Sequence, residues 1–185
     1  MNAAASGGVS AVPHSAISAP MSVEAADWDR IGQELAERGC ATTGVLLGAD
    51  ECRALAAGYD DDGLYRSRIV MARHGFGRGD YKYFAYPLPA NVLALRTALY
   101  LRLAAVANRW EAALGRPAGF PADHAAYLER CHAAGQTRPT PLLLQYGPGD
   151  YNCLHQDLYG ELHFPLQVAF LLSRPARIFP AASSC

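Results

Sequence analysis

Apolar side chains recur every three or four positions between residues 92 and 114, and this period predicts the longest helix of the chain. Gly115 and Pro117 end the pattern. Two earlier helices are predicted to begin at the N-caps Ser22 and Asp50, and a shorter one covers about residues 123–134. We expect the long apolar stripe to lie in the core and to support a sheet from behind. Its positions are Val92, Leu95, Leu99, Leu103, Val106, Trp110 and Leu114.

Short apolar runs between turn residues predict strands elsewhere in the chain. Three further strands are expected between Thr140 and Leu172, with a turn at residues 147–150 and a break near Gly160. The last of them, Leu166–Leu172, is apolar enough to be buried on both faces. The chain therefore predicts an α+β fold in one domain. The earlier predicted strands are Ala41–Leu47, Leu64–Met71 and Tyr81–Tyr86.

The middle of these three late strands carries His155 and Asp157. Residues two apart on a strand point to the same face, so an imidazole and a carboxylate would lie side by side. Such a pair is part of the two-His, one-carboxylate triad that holds non-haem Fe(II). A hydrogen-bonded surface pair is an alternative interpretation of the same spacing. A structural zinc site that includes Cys153 is another, although no fourth ligand is apparent.

Basic and aromatic residues alternate around the glycine-rich segment at residues 74–79, which is predicted to be a hairpin loop. Such a mixture could stack bases and neutralise the phosphates of a single nucleic-acid strand. Ordinary sheet aromatics, with arginine stems lying along apolar surface, explain the same pattern. On the first interpretation, Arg73, Arg78 and Lys82 are candidate substrate contacts.

Composition sets limits on the remaining possibilities. A chain of 185 residues is enough for one domain, and its net charge of −1 gives no global attraction to nucleic acid or membrane. The five cysteines are scattered without a C-x-x-C motif, which favours a reducing cytoplasm. No apolar run is expected to reach the length of about 18 residues that spans a membrane. Residues 1–22 predict a disordered leader, followed by a single domain over residues 23–185.

Several longer runs, at residues 71–84, 107–110, 131–136, 138–146, 152–160 and 164–167, resemble a bacterial subgroup of the 2-oxoglutarate/Fe(II) oxygenases. That subgroup is described as acting on damaged nucleic acid. The resemblance implies a partial jelly-roll (double-stranded β-helix) sheet packed on the helices. It also implies that His155 and Asp157 bind Fe(II), with 2-oxoglutarate as cosubstrate. Tyr146 matches a position where relatives place a hydroxyl on the 2-oxoglutarate carboxylate.

The resemblance further implies a distal His and an Arg on later strands, and here the sequence departs from the pattern after Pro175. His163 lies too close to the pair to replace the distal ligand. A strand at Leu166–Leu172 would also have no later partner. We therefore expect a truncated dioxygenase with an impaired catalytic core. The alternative is a non-catalytic binding module or an inactive fragment, and the substrate could be a nucleic-acid base, a protein side chain or a small metabolite.

Overall fold

The computed structural model describes residues 20–117, 119–156 and 160–174. Its helices are α1 (Met21–Glu24), α2 (Trp28–Arg38), α3 (Ala49–Ala57), α4 (Ala90–Ala113) and α5 (His124–Ala133). Its strands are β1 (Tyr65–Val70), β2 (Gly77–Arg78), β3 (Asp80–Phe84), β4 (Leu142–Gln145) and β5 (Tyr151–Asn152). Helix α1 thus begins two residues before the predicted start of the domain, and residues 1–19 of the predicted leader lie outside the described ranges.

The strands form two antiparallel sheets, which confirms a mixed helix and sheet architecture. One sheet has the order β1-β3-β4, and the other pairs β2 with β5. Strands β1 and β3 match the predicted strands Leu64–Met71 and Tyr81–Tyr86, and the glycine-rich segment joins them as a hairpin. The sheets are open in this structure, so the jelly-roll stays a prediction.

Helix α4 carries the core, as its period predicts. Leu95, Leu99 and Leu103 are buried in a cluster with Ile31 and Leu35 of α2. Residues from the segment 164–172 pack against the same cluster. The other buried members of this cluster come from α1, α2 and the irregular segment before α3. That the stripe supports the sheet stays a prediction.

The N-terminal helix boundaries differ from the prediction because another residue caps the helix. Asp27 accepts a hydrogen bond from the Arg30 backbone N–H at 3.0 Å and is the N-cap of α2. Ser22 lies in α1, and its hydroxyl donates to the Leu46 carbonyl oxygen at 2.7 Å. Gly39 ends α2 in the left-handed conformation, as predicted.

The N-cap of α3 also differs from the prediction, which placed it at Asp50. The Glu51 carboxylate accepts from the Gly48 backbone N–H at 2.7 Å, while Asp50 forms an ion pair with Arg53. Gly48 is therefore the N-cap residue. The preceding strand prediction, Ala41–Leu47, is also wrong, because this stretch is irregular.

Of the three strands predicted between Thr140 and Leu172, the first is β4. The middle one begins as β5, but residues 153–156 contain no strand. The third is wrong, because residues 160–174 contain no strand. Along residues 162–168 half-buried and exposed side chains alternate, so this extended segment lays one face on the α4 core without a pairing strand. Pro165 has no backbone N–H to donate to a neighbouring strand. Leu171 is 64% exposed, which excludes burial of Leu166–Leu172 on both faces.

By length and composition alone, α4 could cross a membrane, and it is the one helix of the described ranges that could. This finding differs from the expectation that no segment approaches such a length. However, 44% of its most apolar window is buried inside the fold. A core helix passes the same test, so composition is weak support for a membrane span.

His124 at the start of α5 is a buried structural histidine. Its Nδ1 lies 3.1 Å from the Thr97 hydroxyl, and its ring packs on Tyr100 with 5.0 Å between centroids. Burial, assisted by the charge of Arg96, lowers the pKa of His124 to about 4. The imidazole is therefore neutral in the folded protein at neutral pH.

We predict that His124 makes the fold sensitive to mild acid. Because its folded pKa lies below the ordinary value of 6.5, the unfolded chain binds a proton first. The free energy of unfolding should therefore fall as the pH drops from about 6.5 towards 4, by up to about 3 kcal/mol from this group. Urea unfolding across this range should show a flatter pH dependence for His124→Gln. His132→Gln, on the exposed side of the same helix, should keep the wild-type dependence. Equal curves for wild type and His124→Gln would contradict the assignment.

Candidate functional site

A two-stranded ribbon brings the hairpin loop against the segment that carries His155. In it Gly77 pairs with Asn152 and Arg78 with Tyr151. The Cys153 backbone N–H continues the pairing and donates to the Phe76 carbonyl oxygen at 2.8 Å. Residues 76–78 and 151–153 are thereby held together, although more than seventy positions separate the paired residues in sequence.

Gly77 permits this close approach. Its φ is +126°, and a Cβ at this position would lie 2.1 Å from the Tyr151 carbonyl oxygen. A side chain there would therefore collide with the backbone of β5. The sequence predicts the loop but not its pairing with residues 151–153. The glycines at the alternate positions 75, 77 and 79 are the one signal of such a close approach.

His155 lies in an irregular, exposed segment rather than on the predicted strand. Its Nδ1 is 2.7 Å from the Cys153 carbonyl oxygen. A carbonyl oxygen only accepts, so Nδ1 carries the proton and Nε2 is the nitrogen with the lone pair in the neutral ring. Metal-binding histidines are commonly oriented by such a bond from the other ring nitrogen. The geometry of His155 therefore fits a metal ligand.

Asp157, the predicted second ligand, lies outside the described residues. Among those that are described, no three His, Cys, Asp or Glu side chains gather into a metal site. The pairing of His155 with Asp157 thus stays a prediction, as does the zinc alternative with Cys153.

Tyr146 lies at the junction between the three-stranded sheet and the ribbon. It follows β4, and its ring covers Gly79, where a Cβ would lie 2.7 Å from its Cδ1. Burial raises the pKa of the Tyr146 hydroxyl, and the nearby charge of Asp150 raises it further. The hydroxyl therefore keeps its proton and can donate a hydrogen bond to an anion.

Arg73 and Arg78 are both exposed and lie near the two ends of the hairpin loop. Between them the rings of His74 and Phe76 stack at 5.3 Å with 23° between their planes. Phe76 is 45% exposed, and Tyr151 on the partner strand is 55% exposed. We call the surface made by these five residues the aromatic-basic ribbon.

Lys82 is separated from this surface. It is 4% exposed, and its Nζ donates to the Tyr59 carbonyl oxygen and to an Asp62 carboxylate oxygen, each at 2.7 Å. The bond from Lys82 lowers the pKa of Asp62. This arrangement gives Lys82 a structural role in joining β3 to the turn at Asp60–Gly63, and nothing in it points to a substrate.

Residues 79–182 match a protein family whose model is described as an oxygenase catalysing oxidative methylation of damaged DNA. Two curated proteins of Mycobacterium tuberculosis are each 53% identical to this chain over 114 residues. They are the uncharacterized proteins MT2286, from strain CDC 1551 / Oshkosh, and Rv2227, from strain H37Rv. The match covers 62% of this chain but 46% of each relative, so the chain spans about half their length. No solved structure matches this chain.

The close approach at Gly77 leads to a prediction about the ribbon. Gly77→Ala should separate β2 from β5 and speed the exchange of the Cys153 amide hydrogen, measured by NMR. Gly75→Ala is the matched control, because Gly75 also has a positive φ, +71°, but open space around its Cβ. Gly75→Ala carries a backbone cost of about 1–2 kcal/mol without a collision, so it controls for the cost of a positive φ. Equal exchange rates at Cys153 in the two variants would show that the ribbon does not depend on this contact.

Proposed function

Because this chain belongs to the family of oxygenases described for damaged DNA, we propose that it is an Fe(II)- and 2-oxoglutarate-dependent dioxygenase. His155 and Asp157 are the proposed iron ligands. The observation that carries the proposal is the hydrogen bond between His155 Nδ1 and the Cys153 carbonyl oxygen, which sets the tautomer in which Nε2 could bind a metal. When bound, the iron would supply oxygen activation, with 2-oxoglutarate as the co-reductant.

Tyr146 is the proposed contact for the 2-oxoglutarate carboxylate. Its position at the junction of sheet and ribbon places a neutral hydroxyl near the segment that leads to His155. A hydroxyl that donates to a carboxylate forms a charge-assisted hydrogen bond. The raised pKa of Tyr146 supports this role, since a phenolate would repel the anion.

We propose a single nucleic-acid strand as the substrate, bound along the aromatic-basic ribbon. Arg73 and Arg78 would contact phosphates, while the exposed Phe76 and its partner His74 offer a surface for stacking a base. Because the net charge of the chain is −1, attraction of the phosphates has to come from these arginines rather than from the protein as a whole. The pairing of β2 with β5 supports this choice, because His155 follows the last residue of β5 by three positions.

A second candidate function is nucleic-acid binding without catalysis. The observation that favours it is the exposed surface itself, since Arg73 and Arg78 are exposed and the rings of His74 and Phe76 stack. Binding of single-stranded nucleic acid would then survive the loss of His155, and no metal would be required. The two candidates differ in whether iron binds through His155.

We also propose that the protein functions in the cytoplasm. Cys40, Cys52, Cys131 and Cys153 are free thiols in the structure. Free thiols are typical of proteins in reducing compartments.

An anaerobic titration tests the catalytic proposal. Adding Fe(II) to the protein with 2-oxoglutarate should produce the weak visible charge-transfer band of the metal chelate. His155→Ala should abolish the band because it removes a ligand, while His132→Ala, on exposed α5 surface, should retain it. A folded wild-type sample without the band, or a band that persists in His155→Ala, would contradict the proposed iron site.

Binding to a fluorescent single-stranded oligonucleotide tests the proposed substrate surface. Arg73→Ala and Arg78→Ala should each weaken binding and lower the slope of log K against log salt by about 0.7, the value for one phosphate contact on a single strand. Arg53→Ala is the control, since Arg53 lies on α3 and pairs with Asp50. An equal loss of affinity in all three variants would show that the aromatic-basic ribbon is not the binding surface.

A further inference from the structure

Two arginines meet at one corner of the three-stranded sheet. The Nε of Arg66, in β1, donates to the Pro139 carbonyl oxygen at 3.2 Å, and Arg138 is the residue before this proline. Both arginines are exposed. Within the described ranges neither of them forms an ion pair with a carboxylate. We call Arg66 and Arg138 the arginine corner.

Arg66 is fixed in place while its charge is left uncompensated. Its guanidinium carbon lies 4.3 Å from the centroid of the Tyr83 ring, and this contact adds to the hydrogen bond with Pro139. Burial lowers the pKa of Arg66, and the nearby charge of Arg138 lowers it further, against an opposing effect of Tyr83. Two like charges repel each other, and an anion bound to both of them relieves this repulsion.

Two tyrosines lead from the arginine corner towards the ribbon. Tyr81 and Tyr83 are two positions apart on β3, so they share a face of the sheet, and their rings meet edge to face with 5.4 Å between centroids. Leu144 lies opposite Tyr81 and is 45% exposed, so the face is open to solvent there. Burial and Asp150 raise the pKa of Tyr146, and Tyr81 raises it too, which places these two tyrosines close together. The arginine corner is thus connected to the junction of sheet and ribbon.

The separation of the two basic surfaces suits a strand of several nucleotides. Arg78 and Tyr83 are five positions apart, and a strand rises about 3.3 Å per residue, so roughly 17 Å along β3 separates them. The tyrosine rings between them are half-buried. Bases of any identity stack on aromatic side chains, and grooves that bind single strands combine such rings with positive charge.

We propose that Arg66 and Arg138 bind a phosphate of the same nucleic-acid strand that the aromatic-basic ribbon contacts, and so extend the substrate site along the sheet. The proposal rests on the proposed nucleic-acid substrate. Guanidinium groups suit this role because their planar donors match the oxygens of a phosphate. Arg66 donates from Nε to Pro139 and from Nη1 to the Ser67 hydroxyl at 3.4 Å, which leaves its Nη2 for the ligand.

Binding of a fluorescent single-stranded oligonucleotide of about ten nucleotides to the full chain tests the proposal. Arg138→Ala and Arg66→Gln should each weaken binding and reduce the magnitude of the slope of log K against log salt by about 0.7. Arg66→Lys should keep the wild-type slope, because it keeps the positive charge. Arg38→Ala is the matched control. It also removes one exposed positive charge, but from α2, where Arg38 pairs with Glu34.

Urea unfolding separates an effect on binding from an effect on folding. Because Arg138 forms no ion pair in the described ranges, Arg138→Ala should unfold at the wild-type urea midpoint or above it. Wild-type slopes in Arg138→Ala and Arg66→Gln, with reduced slopes in Arg73→Ala and Arg78→Ala, would overturn the arginine corner and leave the ribbon as the binding surface. Wild-type slopes in all four variants would overturn the proposed nucleic-acid surface as well. An equal reduction in Arg38→Ala would trace the effect to net charge and overturn the arginine corner.

Discussion

The pairing of β2 with β5 is the interaction on which the candidate site depends. It joins two residue pairs only, and a two-stranded ribbon of this length has little stability of its own. The pairing of β2 with β5 must therefore be stabilised by the hairpin that contains β2. Strand β3 follows β2 after Gly79 and is the central strand of the larger sheet, so the position of the ribbon is set by that sheet.

Buried charges in turn fix the hairpin. Asp80, 8% exposed at the start of β3, accepts a hydrogen bond from the Tyr59 hydroxyl at 2.7 Å and pairs with Arg68 of β1. Burial and the Asp80 carboxylate raise the pKa of Tyr59, so the hydroxyl stays a donor. Lys82, two positions later on the same face, contacts the Tyr59 carbonyl oxygen. Losing one member of such a network leaves a buried charge without its partner, which is far costlier than losing an exposed pair.

Local patterns in the sequence predicted the elements that are stabilised locally. Helices α4 and α5 and the β1–β3 hairpin follow from helical periodicity and from adjacent strands. The predicted caps failed at Ser22 and Asp50 because another nearby group, the Asp27 or Glu51 carboxylate, takes the helix N-terminus. The strand predicted around His155 failed because alternating polarity specifies which face is buried and does not specify a hydrogen-bonding partner. The position of the Lys82 side chain was unpredictable for the same reason, because the register of β3 turns it towards Tyr59 and away from Arg78.

The sequence predicted the chemistry of the candidate site but not the contacts that hold its residues in place. The His-x-Asp spacing indicated His155, but the bond that sets its tautomer comes from a backbone carbonyl, which no side-chain pattern reveals. Gln136 likewise belongs to no motif, and its side-chain hydrogen bonds to the Leu162 backbone span 26 residues. The backbone before His155 is held by its hydrogen bonds to the hairpin. Changes in the hairpin, which is far from His155 in sequence, can therefore alter the geometry of the candidate site.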